Sequence, residues 1–270
     1  MALTKVLITV KTYPTISSKY DELVCTAGFR EDGTWIRIYP VPFRKKSYSE
    51  QYKKYDWIEM DLVKNESDFR PESFRPKTID TAINVVGHID TKNNWYQRKN
   101  ICLGKIYYKL SELIEEAKNK EICTSLAVFK PKEILDFYAE PVERAWDKEK
   151  LAKLNQLNLF EQTEEGKFEV VKKLPFRFKY RFLDEQGKES NLMIEDWETG
   201  QLFWKQFEKY KDEEKAIADV RKKYFDDFAK TKDLHFYLGT LYENHAKNYP
   251  NPFAIIGTFH SKKEIQGSLF

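Results

Sequence analysis

Trp35, Arg37 and Tyr39 alternate along one predicted strand, so all three project to the same face. Arg44, Lys45, Lys46, Tyr48, Tyr52, Lys53, Lys54 and Tyr55 follow, and Arg70, Phe74 and Arg75 come soon after. Cationic side chains contact phosphates, and aromatic rings stack on bases. This interleaving points to a nucleic-acid-binding protein with DNA or RNA as partner. Its expected contact residues are Trp35, Arg37, Tyr39, Arg44, Lys45, Lys46, Arg70 and Arg75. Eleven bases and nine acids lie between residues 30 and 77, which also fits an ordinary core strand with solvated charges. Tyr, Trp and Arg are the residues of interface hot spots too. A protein-interaction or structural subunit, including one that self-associates, is therefore an alternative.

Two acidic clusters suggest a third chemistry, a divalent-metal-dependent nuclease. Glu59 and Asp61 lie on or just after a predicted strand with Lys64 close by, and Glu195, Asp196 and Glu198 lie at a predicted strand-to-helix junction. Carboxylates so grouped can hold Mg²⁺ and activate a water, and one or two protein carboxylates suffice for that ion. Acids at a helix start also have an electrostatic reason to be there. Mg²⁺ is expected only under the nuclease reading, and no other cofactor or metal is expected.

Other chemistries lack their motifs. His88, His235, His245 and His260 never pair at a spacing of four, and no Cys-x-x-Cys occurs among Cys25, Cys102 and Cys123. Neither Gly-x-Gly-x-x-Gly, nor a Walker A loop, nor Gly-x-Ser-x-Gly is present in a chain with only ten glycines. Each cysteine is expected as a buried thiol. The Asn93–Lys99 stretch, with Trp95, Tyr96 and Arg98, reads as a mixed loop.

The balance of charge is mild. Residues 1–100 carry 17 Lys and Arg against 13 Asp and Glu, while the whole 270-residue chain has a net charge of +3. A slightly basic front half permits a phosphate-contacting face. No apolar run approaches the roughly 18 residues of a membrane span. The opening stretch reads as a strand and not a signal peptide, so a cytoplasmic protein without membrane contact is expected.

The elements that must hold these residues form an α+β pattern. Lys5–Val10 alternates like a strand. Glu22–Arg30 and Thr34–Tyr39 flank Asp32–Gly33, a hairpin signal, and Pro40 and Pro42 are expected to end the ladder. Trp57–Val63 is a further strand, and Asn65–Lys77 reads as a long ordered loop. Ala82–His88 is a short strand or the end of a helix. Leu110–Lys118 is a helix capped by Ser111, and Thr124–Phe129 and Ile134–Tyr138 are strands. Pro141–Leu159 reads as a charged helical bridge. Phe176, Phe178, Tyr180 and Phe182 alternate with Arg177, Lys179 and Arg181, and a return strand at Asn191–Ile194 makes a second hairpin. Helices over 199–209 and 212–230 and strands at Leu234–Gly239 and Phe253–Phe259 follow. The expected organisation is a strand-rich lobe at 1–160 with antiparallel hairpins and a β-β-α-α-β-β lobe at 161–270.

Gly33–Arg44 (Gly-Thr-Trp-Ile-Arg-Ile-Tyr-Pro-Val-Pro-Phe-Arg) and Ile194–Gly200 (Ile-Glu-Asp-Trp-Glu-Thr-Gly), with Asp233–Gly239 and Pro252–Phe259, resemble an uncharacterised prokaryotic protein family. The resemblance covers most of the chain and carries no reaction or catalytic residue. It implies a bacterial or archaeal intracellular protein. A role near DNA or RNA metabolism, or in antiviral defence against phage, is an expectation by association.

Overall fold

The computed structural model describes residues 3–16, 22–149, 151–152 and 170–264. Its strands in chain order are β1 (Thr4–Lys11), β2 (Thr15–Ile16), β3 (Glu22–Phe29), β4 (Trp35–Val41), β5 (Asp56–Met60), β6 (Leu62–Lys64), β7 (Ser73–Pro76), β8 (Asn84–His88), β9 (Ile106–Tyr107), β10 (Leu126–Phe129), β11 (Glu133–Pro141), β12 (Phe176–Leu183), β13 (Glu189–Met193), β14 (Lys232–Thr240) and β15 (Phe253–Lys262). The helices are α1 (Lys92–Cys102), α2 (Leu110–Lys118), α3 (Trp197–Tyr210), α4 (Glu213–Arg221) and α5 (Tyr242–Ala246). The α+β class is as expected, with a strand-rich first part.

The chain divides into two compact units. The first comprises Met1–Phe69, Ser73–His88 and Glu140–Arg177, and the second Arg70–Glu72, Ile89–Ala139 and Phe178–Phe270. The division expected near residue 160, and the end of the helical bridge before it, lie outside the described residues.

The first unit is one eight-stranded sheet in the order β6-β7-β4-β3-β1-β5-β8, with β2 added to β3. The Asp-Gly turn makes the β3–β4 hairpin, with Phe29 opposite Trp35 and Ala27 opposite Arg37. Gly33 takes a positive φ of 79°, which glycine adopts without steric cost. The strand runs through Pro40 to Val41 because the ladder shifts register between Val24 and Thr26, and proline is tolerated at such an irregularity. The expected Trp57–Val63 strand is instead two strands broken at Asp61. The polar loop after it contains β7, which pairs parallel to β4.

In the second unit, β15-β14-β10-β9 form one sheet and β11-β12-β13 another. The alternation along β12 has the expected consequence: Phe178, Tyr180 and Phe182 are buried, and Arg177 and Arg181 face solvent. Tyr180 meets Phe236 at 4.9 Å, and Phe182 meets Phe129 at 5.5 Å, so the inner faces of the two sheets share an aromatic core. Phe137 on β11 stacks on Phe178 at 5.8 Å and on Tyr224 at 5.3 Å. Beyond α4 the helix widens to an i→i+5 π segment over Lys222–Ala229. There the buried Tyr180 hydroxyl donates to the Tyr224 carbonyl at 2.7 Å, supplying that acceptor with a partner.

Ser111 does not cap α2. Its helix starts one residue earlier, where the Leu110 N–H donates to Asp184 Oδ2 at 3.3 Å. The same buried carboxylate accepts the Gln186 and Lys188 N–H groups at 3.0 Å, so one side chain closes the β12–β13 turn and a helix start together. The mixed loop expected at residues 93–99 is helical and lies in α1. Asn93, Asn94 and Trp95 nevertheless have φ of 50°, 51° and 64°.

Candidate functional site

Within the first unit, the basic-aromatic residues collect on the segment that leaves β4. Two short 3₁₀ turns, Phe43–Lys45 and Tyr48–Glu50, carry it to β5. Three aromatics root it. Phe43, Tyr52 and Tyr55 are buried, Phe43 packs edge-on to Tyr52 at 4.8 Å, and the Tyr52 hydroxyl hydrogen-bonds Thr26 Oγ1. Burial pushes the Tyr52 hydroxyl well above its ordinary pKa, so it stays neutral. The Lys11 ammonium lies 3.9 Å from the Phe43 ring centroid. What this root holds outward is Tyr48, 90% exposed, with exposed Lys45 and Lys53 and the partly exposed Tyr39. Residues 39–55 contain five cations and one carboxylate. Arg44 is matched by the buried Glu22 at 2.6 Å, and Lys46 by Glu50 at 3.9 Å and by the Thr81 carbonyl at 2.9 Å. Of the segment's cations, Lys45 and Lys53 are the exposed ones, and Lys54 is partly exposed.

Sequence reasoning grouped residues that the fold separates. Trp35 packs on Phe29 at 4.0 Å. Arg37 shares the face of Trp35 and Tyr39 as expected, but it is 3% exposed, so a phosphate in solvent does not reach it. Arg70 belongs to the second unit, is 6% exposed and donates to the Thr240 carbonyl at 2.7 Å. Arg75 is exposed and turns back on the Pro76 and Lys77 carbonyls at 3.2 Å each. Tyr39, Arg44, Lys45 and Lys46 lie in one short stretch, at the end of β4 and in the turn that follows it. Tyr48 and Lys53, flanking them, were visible in the sequence but not singled out, because exposure cannot be read from residue type.

The acidic residues have local duties. Glu59 faces Lys5 across β1–β5, and Asp61 pairs with Lys77 at 3.4 Å. Asp196 is 1% exposed and caps α3, accepting from the Glu198 N–H at 3.3 Å. The Glu195 N–H donates to the Ile255 carbonyl at 2.8 Å, and the Glu198 side chain is exposed. Among the described residues, no group of three or more His, Cys, Asp or Glu is placed to hold a metal ion. Of the thiols, Cys102 is buried, whereas Cys25 and Cys123 are partly exposed. Cys123 Sγ lies 4.0 Å from His245 Nε2, but that nitrogen is 2.7 Å from the Ala117 carbonyl and Nδ1 is 3.1 Å from Thr240 Oγ1. His245 thus reads as a structural histidine.

A second polar centre, unsignalled by any motif, lies in the second unit. Asp233 and His235 are two apart on β14, with Ser261 and Phe259 opposite them on β15, so all four share a face. Lys130, just past β10, hydrogen-bonds Asp233. Burial pushes the Asp233 carboxyl up, but Lys130 and His235 outweigh it and hold it below its ordinary value. Burial and the charge of Lys130 lower His235 to about 4, with Asp233 opposing and Lys99 adding to the fall. Between pH 6.5 and 4 the unfolded chain therefore binds a proton that the folded chain refuses. Stability rises with pH across this window, and the folded chain is expected to lose stability on acidification from pH 7 to 4. Urea unfolding at pH 7, 5.5 and 4.5 tests this: His235→Gln should flatten the dependence, and equal slopes in both proteins would count against it.

Residues 2–104 match Domain of unknown function (DUF8758), and residues 108–270 match Domain of unknown function (DUF8757). The chain belongs to the DUF8757 family. Lys130, Asp233, His235 and Ser261 all fall in the DUF8757 stretch, and the exposed basic-aromatic segment falls in the DUF8758 stretch. No curated protein matches the chain. A murine DNA-binding protein solved with double-stranded DNA is similar at 10% identity, over 99% of this chain and 98% of that one, with a TM-score of 0.32. At that score the likeness establishes neither a shared fold nor a shared ligand. Among the described residues, no helix is long and apolar enough to cross a membrane.

Proposed function

We propose that the protein binds nucleic acid, single strands in preference to duplex, through the segment from Tyr39 to Lys54. One observation carries this reading: Tyr48 is 90% exposed on a turn rooted by three buried aromatics, with Lys45 and Lys53 exposed beside it in sequence. A ring held in water by a firm base offers a stacking platform, and unstacked bases supply the complementary flat faces. The lysines supply phosphate contacts without a sequence code.

Fluorescence anisotropy with labelled single- and double-stranded DNA and RNA tests it. Binding at low salt should weaken as salt rises, with a log–log slope of about −2 for three lysine contacts to a single strand. Tyr48→Ala should cost about 1–3 kcal/mol of affinity. Lys45→Glu with Lys53→Glu should abolish binding while leaving the melting temperature unchanged. Binding to none of the four probes, or binding indifferent to these changes, would overturn the reading.

A further inference from the structure

The centre around His235 has a feature that its ion pair leaves unexplained. His235 is 4% exposed and Ser261 is wholly buried, yet among the described residues neither His235 Nδ1 nor Ser261 Oγ has a hydrogen-bond partner. Asp233 Oδ2 lies 4.0 Å from that Nδ1, beyond hydrogen-bond reach. Leaving a buried donor or acceptor unmatched costs about 1–3 kcal/mol. Here two such atoms lie on one face, one row apart, on neighbouring strands.

The covering helix is held at a conformational cost. Asn93, Asn94 and Trp95 are three consecutive residues in left-handed geometry, each disfavoured by about 1–2 kcal/mol for a side-chain-bearing residue. This turn places Trp95 edge-on to Phe259 at 5.0 Å. It also lets Asn94 clamp the end of β15, accepting from the Lys262 N–H at 2.9 Å and donating to its carbonyl at 3.1 Å. One helical turn on, Lys99 joins the charge environment of Asp233 and His235 and pairs outward with the exposed Glu264 at 2.6 Å.

We propose that this face is a binding site for a tetrahedral oxyanion of the phosphate class, taken between Lys99 and Lys130 and hydrogen-bonded by His235 and Ser261. The donor inventory favours an anion over a hydroxylic or cationic ligand. Strand register sets a serine hydroxyl and an imidazole beside the Lys130–Asp233 pair, Lys99 adds its charge to the same surroundings, and the partly exposed Asp233 carboxylate is already engaged by Lys130. A neutral imidazole beside two lysines donates through one nitrogen, and a bound anion would draw a proton onto the other. The ion thereby supplies the unmatched atoms with partners. A free ion and a terminal phosphate on a larger molecule share this chemistry.

The test uses the full chain. The four histidines give few enough ¹H–¹³C imidazole signals to follow singly, and the His235 signal is identified by its loss in His235→Gln. Inorganic phosphate and a nucleoside 5′-monophosphate are titrated separately at constant ionic strength. The expected result is a saturable shift of the His235 signal with at least one of them, and a titration midpoint for His235 that rises on saturation. Saturation by phosphate points to a free ion, and saturation by the monophosphate alone to a terminal phosphate. Ser261→Ala removes a single oxygen and should weaken the binding at least fivefold with the other three histidine signals unmoved. No saturable shift with either probe, or equal affinity in Ser261→Ala, overturns the proposal. Neither outcome depends on whether the Tyr48 surface binds nucleic acid.

Discussion

Gly28→Ala is expected to abolish folding of the first unit. Gly28 pairs with Ile8 in the middle of the β1–β3 ladder, and a Cβ built there would sit 1.9 Å from the Leu7 carbonyl oxygen and 2.9 Å from its carbon. Both are backbone atoms, so no rotamer change relieves the clash, and mutating Leu7 does not help. The ladder also cannot slide, because a one-residue slip would turn every side chain of β1 to the wrong face. Leu7 and Ile8 are fully buried on opposite faces, which leaves no slack on either side. A cost above about 4 kcal/mol is expected, in the range reserved for severe lesions. Gly239→Ala makes the useful contrast, since its nearest neighbour is the movable end of the Ile256 side chain at 2.7 Å. Circular dichroism and urea unfolding of the two variants measure the difference. A Gly28→Ala protein within about 1 kcal/mol of the parent would sink the β1–β3 register described above.

Phe137→Ala is expected to destabilise the second unit by about 3–5 kcal/mol. Phe137 is wholly buried, stacks on Phe178 and Tyr224, and meets Tyr180 edge-on at 4.7 Å. Its removal opens a cavity walled by other rings, and rings collapse poorly into a void. The lesion also loosens the seat of Tyr180, whose hydroxyl supports the Tyr224 carbonyl in the π segment. The midpoint of urea unfolding should fall with little change in slope. A loss below about 1 kcal/mol would mean that the aromatic cluster is less tightly packed than these centroid distances imply.

Much of the framework was legible because it rests on local rules. Asp32–Gly33 marks its hairpin through glycine's freedom at positive φ, and the Phe/Arg alternation of β12 marks an inner and an outer face. Helix α1 was not legible, since its first residues are left-handed and its apolar positions follow no helical repeat. Strand β7 was hidden in a polar loop because a short parallel strand draws its stability from a distant partner. Strand parity placed Arg37 correctly with Trp35 and Tyr39, but parity says nothing about what covers a face, and Arg37 is buried. The His235 centre needs residues 99, 130, 233, 235 and 261, which only strand register and helix packing bring together. The exposed part of the basic-aromatic surface was legible as composition, and its Tyr48 apex was not.

The interleaving of the chain bears on how this protein can be dissected. Arg70–Glu72 and everything from Ile89 onward to Ala139 belong to the second unit, although residues 2–104 match a different family from residues 108–270. Glu72 accepts both the N–H and the hydroxyl of Ser125, at 3.1 and 2.8 Å, and Arg70 serves the Thr240 carbonyl. A fragment cut where the two matched stretches meet would leave Ser125 and Thr240 without these partners and β15 without Trp95. The two stretches are thus bound to a shared fate, and a gene carrying the DUF8757 half alone would have to supply replacements for an arginine, a glutamate and a helix.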